Sequence, residues 1–146
     1  MELWEQIAAI EAQMAQQIID AAITGVNGVL LEREYKSGST HPPYVIVYLD
    51  PSPVSDKTTA IGEQWTIRWT VQAVAAPYED NDGDQHRKIA LQARTAIISD
   101  RSLASTADDT VCTGWEPAST RGPASADSQL FAASVSFETT ILNYLA

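Results

Sequence analysis

The stretch Glu63–Ala75, EQWTIRWTVQAVA, decides the fold class because its side chains alternate strictly between apolar and polar. Successive side chains of a β-strand point to opposite faces, so the pattern predicts a strand with one buried and one polar face. At about 3.3 Å per residue this strand would span about 40 Å. We expect Trp65 and Trp69 to be buried, and Arg68 on the other face to be exposed or at a subunit contact.

The segment Leu130–Leu142, LFAASVSFETTIL, shows the same alternation. Its apolar positions predict a buried face that it shares with the first strand. The two strands also predict an outer face that is polar but lightly charged, with these hydroxyl side chains: Thr66, Thr70, Ser134, Ser136 and Thr140. Such a face can become an interface without removing many charges from water.

The remaining elements complete an α+β pattern. Apolar residues at helical spacing predict helices over Glu2–Ile23 and His86–Ser99, the second capped by Asp82 or Asp84. Runs of β-branched and aromatic residues predict three further strands, at Val29–Tyr35, Tyr44–Asp50 and Val111–Glu116. The order α-β-β-β-α-β-β predicts one domain, residues 1–146, with a mostly antiparallel sheet of about five strands and both helices on one face.

Several placements follow from these patterns. The segment Tyr44–Asp50 is apolar on both faces and should lie centrally in the sheet. The face that carries the bulky aromatic residues should lie under the helices; these residues are Trp65, Trp69, Phe131 and Phe137. Trp4 on the first helix is interpreted as a core or subunit-contact residue rather than a ligand platform.

Three segments have turn composition and are predicted to be loops, namely Pro51–Gly62, Ala76–Gln85 and Pro117–Ser128. Asp80, Asp82 and Asp84 alternate as in a calcium loop. However, counting from Asp80, Gln85 stands where such a loop needs glycine and Leu91 where it needs a bidentate glutamate. We therefore expect a solvated turn near a helix start and no tight calcium binding.

Composition excludes several classes of protein. The 146 residues include 9 Lys+Arg and 19 Asp+Glu, a net charge of −10, which argues against a nucleic-acid binder and against binding to anionic membrane surfaces. Cys112 is the single cysteine, so an internal disulfide and a cysteine-based zinc site are excluded. The first residues lack a basic stretch, and no apolar run approaches about 20 residues, so neither a signal peptide nor a membrane span is expected.

The sequence contains no recognisable catalytic or cofactor motif. It has no nucleophile elbow, P-loop or dinucleotide fingerprint, and His41 and His86 show no triad spacing. We expect no catalytic, cofactor-binding or metal-binding residues, no cofactor, and a protein that is not an enzyme.

The arrangement resembles the tail terminator (tail completion) proteins and minor tail proteins of long-tailed bacteriophages. The resemblance covers nearly the whole chain, and it rests on order and pattern. After a helix at the start come the strand PYVIVYLDP, the long strand EQWTIRWTVQAVA, a turn, the helix HRKIALQARTAI and the final strand LFAASVSFETTIL.

This resemblance implies a structural virion protein, made in the host cytoplasm, that caps the tail tube. The expected assembly is a homo-oligomeric ring of six copies. Its partners would be the tail tube protein and a neck or head-connector protein, with DNA passing through the lumen without specific binding and no membrane contact. The three loops would make the contacts. The candidate contact residues are Asp56, Lys57, Arg68, Glu79, Asp82 and Arg121.

Other functions remain open at this point. Within the phage class, a neck or head-closure connector has the same layout. Outside it, the chain could be a ligand- or peptide-binding module that uses the polar sheet face, or an enzyme whose site carries no motif. A ring of many copies would favour the first class, and a deep apolar pocket with converging polar groups would favour the others.

Overall fold

The computed structural model describes residues 2–34, 40–50, 54–59, 62–76, 84–121 and 130–144. Within them two α-helices and six strands form an α+β fold. The elements are α1 Leu3–Asp20, β1 Val29–Leu31, a 3₁₀ turn Glu32–Glu34, β2 Tyr44–Leu49, β3 Val54–Thr59, β4 Gly62–Ala75, α2 Gln85–Ile98, β5 Asp109–Arg121 and β6 Leu130–Tyr144. The predicted fold class is confirmed.

The sheet is built around the two long alternating strands. Its order is β1-β2-β4-β6-β5, and β3 pairs with the first half of β4. The β1–β2 pair is parallel and the other described pairs are antiparallel, as predicted. Strand β2 lies between β1 and β4, which confirms the interior position expected for a segment that is apolar on both faces. Trp69 lies opposite Phe137 in the β4–β6 register.

Both helices pack on one face of this sheet and enclose the main core. Ile10 and Met14 of α1 and Ile89 of α2 are buried against Trp69 and Phe137. This confirms the predicted face.

Two aromatic residues of the predicted face, Trp65 and Phe131, lie at the rim of the core. Trp65 was expected to be buried but is only half-buried there, because it lies at the edge of the core, and its indole Nε1 donates to Glu63 Oε2 at 2.8 Å. Phe131 packs against the buried His86 ring, with 5.7 Å between the ring centroids.

Gln17 joins the two helices through a buried side chain. Its Nε2 lies 3.1 Å from the Ala96 carbonyl oxygen and 3.0 Å from that of Ile97, and 3.4 Å from that of Asp100. The last carbonyl groups of a helix have no hydrogen-bond donor inside that helix. The side-chain amide of Gln17 on α1 donates to these carbonyl groups at the end of α2.

The first helix ends three residues before the predicted position at Ile23. Ala22, just beyond the helix, has φ of 49°, and its N–H donates to the Ile19 carbonyl at 3.0 Å. A residue in the left-handed region ends a helix whatever follows it. Gly25, which also has a positive φ, of 84°, lies farther on and does not set the end of the helix.

Three sequence-based boundaries were wrong. The predicted loop Pro51–Gly62 contains strand β3, which forms because residues 54–59 pair antiparallel with β4. The predicted strand Val29–Tyr35 is a strand only to Leu31 before the 3₁₀ turn. The predicted short strand Val111–Glu116 runs from Asp109 to Arg121 along β6, so the first part of the predicted loop Pro117–Ser128 is also a strand.

The outer face of the sheet is divided, which the alternation did not predict. At one end it carries a second buried apolar cluster of Tyr44, Ile46, Val74 and Ala132, with the half-buried Leu30, Tyr48 and Leu130 packed against it. Toward the other end it is polar. The outer face therefore offers a polar surface over part of its length only.

Candidate interaction surfaces

The hydroxyl-bearing outer face predicted from the two alternating strands is present. Thr66 lies opposite Thr140 and Thr70 opposite Ser136 in the β4–β6 register. These side chains are half-buried, and they point away from the helices because the adjacent positions enter the core. Short neutral hydroxyls on a sheet form a surface that a partner can cover at little desolvation cost.

Arg68 is the predicted contact residue whose side chain the structure describes. It is exposed on this outer face, as expected, opposite Glu138, and its Nε lies 3.4 Å from Glu138 Oε1. An exposed ion pair of this kind contributes about 0–1 kcal/mol to stability. The pair can therefore open toward a partner charge at small cost.

The other predicted contact residues are not tested by the structure. Asp56 and Lys57 lie on β3, where the pairing with β4 is irregular between Ser55 and Lys57, and Arg121 is the last residue of β5. Their side chains lie outside the described part of the structure. Glu79 and Asp82 lie outside the described residues altogether, as does most of the acidic segment around them.

The structure confirms the predicted position of the N-cap of α2 but shows no side-chain capping hydrogen bond there. Asp84 is the N-cap residue, but its side chain makes no capping hydrogen bond and instead lies 3.3 Å from the Lys88 ammonium group. Asp84 therefore contributes to the start of α2 through charge, near the positive end of the helix dipole.

Sequence reasoning missed the exposed edge of the sheet at β5. Trp115 and Val111 on this strand are 45% and 40% exposed. The strand has bulges near Gly114 and between Glu116 and Ser119, and the Arg87 Nε on α2 donates to the Pro117 carbonyl at 3.0 Å. The signal in the sequence was Gly114 before Trp115 and Pro117 two residues after it, because glycine and proline within a strand mark bulges and sheet edges.

Trp4 resolves one alternative left open by the sequence. It is 69% exposed on the first turn of α1, so it is not a core residue. Its role as a subunit contact stays a prediction.

An open groove of about 720 Å³ lies between the end of α1 and the outer side of α2. Gln17, Asp20 and Ala22 line one wall, and Leu91 and Thr95 line the other. The groove offers few ionisable groups, since Asp20 is the one titratable residue on its described walls.

The two histidines and the cysteine show no catalytic arrangement. His86 is buried against Phe131, His41 is exposed beside the Pro42–Pro43 segment, and the half-buried Cys112 Sγ lies 3.8 Å from the Gly114 carbonyl. Among the residues that the structure describes, no three His, Cys, Asp or Glu side chains are grouped as metal ligands. In the same residues, no helix has the length and hydropathy needed to cross a bilayer.

Local hydrogen bonds lower the pKa of Asp100. Asp100 accepts hydrogen bonds from the Ser102 hydroxyl at 2.7 Å and from the Ala104 N–H at 2.8 Å, which lower its pKa below the ordinary value of 3.8. These bonds hold a turn in which Leu103, Ala104 and Ser105 have φ of 50°, 54° and 67°. The carboxylate thus has a structural task in this turn.

Comparison with known proteins supports the architecture. No family model and no curated protein matches the chain. A solved structure that carries no descriptive name is 16% identical, with a TM-score of 0.51 over 95% of this chain and 96% of the other. A chain in the virion of a native gene transfer agent (GTA) particle is 12% identical, with a TM-score of 0.41 over 90% of this chain and 92% of that one. The first likeness shows a shared fold, and the second carries no argument about function.

Proposed function

We propose that this protein is a structural subunit of a phage tail, a tail terminator that forms a ring on the end of the tail tube. The observation that carries the proposal is the polar outer face on β4 and β6, with Thr66, Thr70, Ser136 and Thr140 in register. It is a contact surface built into the two longest strands. The order of elements, which resembles that of tail terminator proteins, supports the same function.

The proposed assembly is a ring of six copies in the virion. Neighbouring subunits meet through sheet edges or the polar sheet face, and the ring contacts the tube protein on one side and a neck or head-connector protein on the other. A ring can match the symmetry of the tube on which it sits. The bound ring covers the end of the tube, so that no further tube subunits add. The protein acts by contact and not by catalysis.

The net charge suits passage of DNA through such a ring. Each subunit carries −10, so six copies carry 6 × −10 = −60. Carboxylates around a lumen repel phosphate groups and keep DNA from adhering. Acidic composition also serves solubility, so the charge supports the proposal without deciding it.

A second candidate is a peptide-binding module, and the groove between α1 and α2 favours it. Its volume of about 720 Å³ is within the range of ligand sites, and Leu91 gives it an exposed apolar wall. In this alternative the groove, and not the polar sheet face, is the functional surface.

Deletion of the gene in a producing phage tests the first proposal. Without the terminator we expect tails of uncontrolled length that do not join heads, as seen by electron microscopy. Tails of uniform length attached to heads would contradict the assignment and leave a connector or accessory role as the better explanation.

Complementation of the deletion with two matched variants separates the surfaces. Thr70→Glu adds a charge to the polar sheet face, and Thr95→Glu adds the same charge to the groove. A terminator that assembles through the sheet face loses length control with the first variant and keeps it with the second. The reverse result would favour the groove as the functional surface.

A further inference from the structure

The two helices carry charges of opposite sign. Helix α1 contains Glu5, Glu11 and Asp20 and no basic residue. Helix α2 contains Arg87, Lys88 and Arg94 and no acidic residue, although the chain as a whole has only 9 Lys+Arg and a net charge of −10. A third of the basic residues thus lies on one helix.

Part of this charge forms a row along the exposed edge of the sheet. Arg87, Leu91 and Arg94 are four and three residues apart and share one side of α2. The hydrogen bond from Arg87 to the Pro117 carbonyl places this side beside β5, where Trp115 is 45% exposed. We call Arg87, Leu91, Arg94 and Trp115 the basic strip. It combines two guanidinium groups with exposed apolar surface.

A surface of matching chemistry lies on the same chain, at the start of α1. Glu2, Trp4 and Glu5 are exposed there, and Trp4 at 69% is the most exposed large apolar side chain among the described residues. We call these three residues the acidic turn. It combines two carboxylates with an aromatic ring, the counterpart of the basic strip in both charge and apolar character.

The two surfaces lie at different ends of the helix layer. The Gln6 Nε2 group in the first turn of α1 donates to the Thr106 carbonyl, which places the acidic turn beyond the end of α2, whereas Arg87 lies in the first turn of α2. A contact between two different patches of a subunit is head-to-tail, and a head-to-tail contact repeated by rotation gives a ring.

We propose that the acidic turn of one copy docks on the basic strip of the next copy. Trp4 packs against Leu91 and Trp115, while the carboxylates of Glu2 and Glu5 pair with Arg87 and Arg94. Arginine and tryptophan are the residues that most often dominate the energy of protein interfaces. The proposal rests on the proposed ring, to which it adds a contact between subunits beside that of the sheet edges or the polar sheet face.

Charge complementarity within the chain selects a second copy as the occupant. A nucleic acid would also meet the basic strip favourably, but it would be repelled by the other charges of a chain with net charge −10. Another acidic protein would need to reproduce both the carboxylates and the aromatic ring that the chain itself already presents. If a nucleic acid or another protein occupied the basic strip, two copies of the chain would make no contact with each other there.

Site-directed crosslinking of the full chain tests the contact. In a Cys112→Ser background, the pair Glu5→Cys and Arg94→Cys, treated with a short bismaleimide at high protein concentration, should give a ladder of covalent oligomers on a denaturing gel. The control pair is Glu5→Cys with Thr70→Cys, which places the second thiol on the polar sheet face. No ladder from the first pair, or an equal ladder from both, would overturn the proposal.

Charge reversal gives an independent measurement on the same contact. Glu5→Arg and Arg94→Glu should each weaken self-association by about tenfold or more, because like charges then face each other. The two changes in one chain should restore association to near that of the unmodified protein. Arg87→Glu replaces Arg94→Glu if the latter loses its thermal unfolding transition. Lys88→Glu, the same change on α2 at an exposed residue outside the basic strip, should have no effect. Failure of the double variant to recover would contradict the pairing.

The outcomes separate this contact from the proposed function. A ladder that ends at a closed number of copies supports both. A ladder without a fixed end supports the contact and argues against a ring. Rings in which the Glu5 and Arg94 positions do not crosslink support the ring and overturn the contact.

Discussion

Replacement of Trp69 by alanine tests the assignment of faces on which the whole fold rests. The Trp69 side chain is 1% exposed, and its indole Nε1 donates to the Thr139 hydroxyl at 2.9 Å. Loss of a buried tryptophan costs about 3–5 kcal/mol when the surroundings do not collapse into the space. The hydrogen bond accounts for about 0.5–1.5 kcal/mol of that, and packing accounts for the rest.

The two contributions can be measured separately. Trp69→Phe keeps most of the packing and removes the donor, so we expect about 1–2 kcal/mol, and Thr139→Val removes the acceptor at similar cost. Because the two side chains are bonded to each other, the double variant should be less destabilised than the sum of the single variants by about 1 kcal/mol. The Thr139 hydroxyl also lies 3.4 Å from the Ile67 carbonyl, and this bond is lost only with Thr139→Val.

Urea unfolding followed by circular dichroism gives these free energies from the midpoint at constant slope. For a domain of this size the Trp69→Ala loss corresponds to a fall in melting temperature of about 6–20 °C. Arg68→Ala, one residue away on the exposed face, is the matched control and should stay within about 0.5 kcal/mol of the unmodified protein. The assignment of Trp69 to the buried face and Arg68 to the exposed face would be refuted if Trp69→Ala left the melting temperature unchanged, or if Arg68→Ala lowered it more.

Three further predictions concern the helix ends and the turn after α2. Gln17→Ala should destabilise the protein by about 1–3 kcal/mol in urea unfolding, since buried carbonyls at the end of α2 lose their donor; an effect below about 0.5 kcal/mol would contradict this role. Ala22→Gly should stabilise it by about 0.4–1 kcal/mol, because glycine adopts φ of 49° without a Cβ clash; a loss of stability would contradict the left-handed cap. The pKa of Asp100 is lowered in the folded state, so its ionised form adds stability that is present above its ordinary value of 3.8 and is lost as the pH falls through the folded pKa. The stability difference between the unmodified protein and Asp100→Asn should therefore shrink on acidification below that value, and a difference independent of pH would refute the assignment.

Sequence reasoning predicted the exposed position of Arg68, which the structure confirms, and did not find the exposed Trp115. The contact role of Arg68 stays a prediction. Arg68 could be placed because it occupies a polar position in a regular alternation, so its neighbours fixed its face. Trp115 lies on a strand with two bulges, where alternation is broken, and this strand is at the end of the sheet order among the described strands. The basic strip joins residues of α2 and β5 that are more than 20 residues apart, and no local pattern brings them together.

The sequence by itself determined the elements whose side chains repeat with a clear period. Strands β4 and β6 alternate every second residue and helices α1 and α2 show apolar positions three and four residues apart, so burial of one face was enough to specify them. The tertiary structure decided what depends on partners distant in the chain. Val54–Thr59 is mostly polar and becomes a strand because β4 offers unpaired backbone groups beside it. Strand β5 likewise continues to Arg121 because it pairs with β6 over that length. The carbonyl groups at the end of α2 find their hydrogen-bond donor in Gln17 of α1. Hydrogen bonds between segments are not encoded in the period of either segment, and they form only when the core brings the two together.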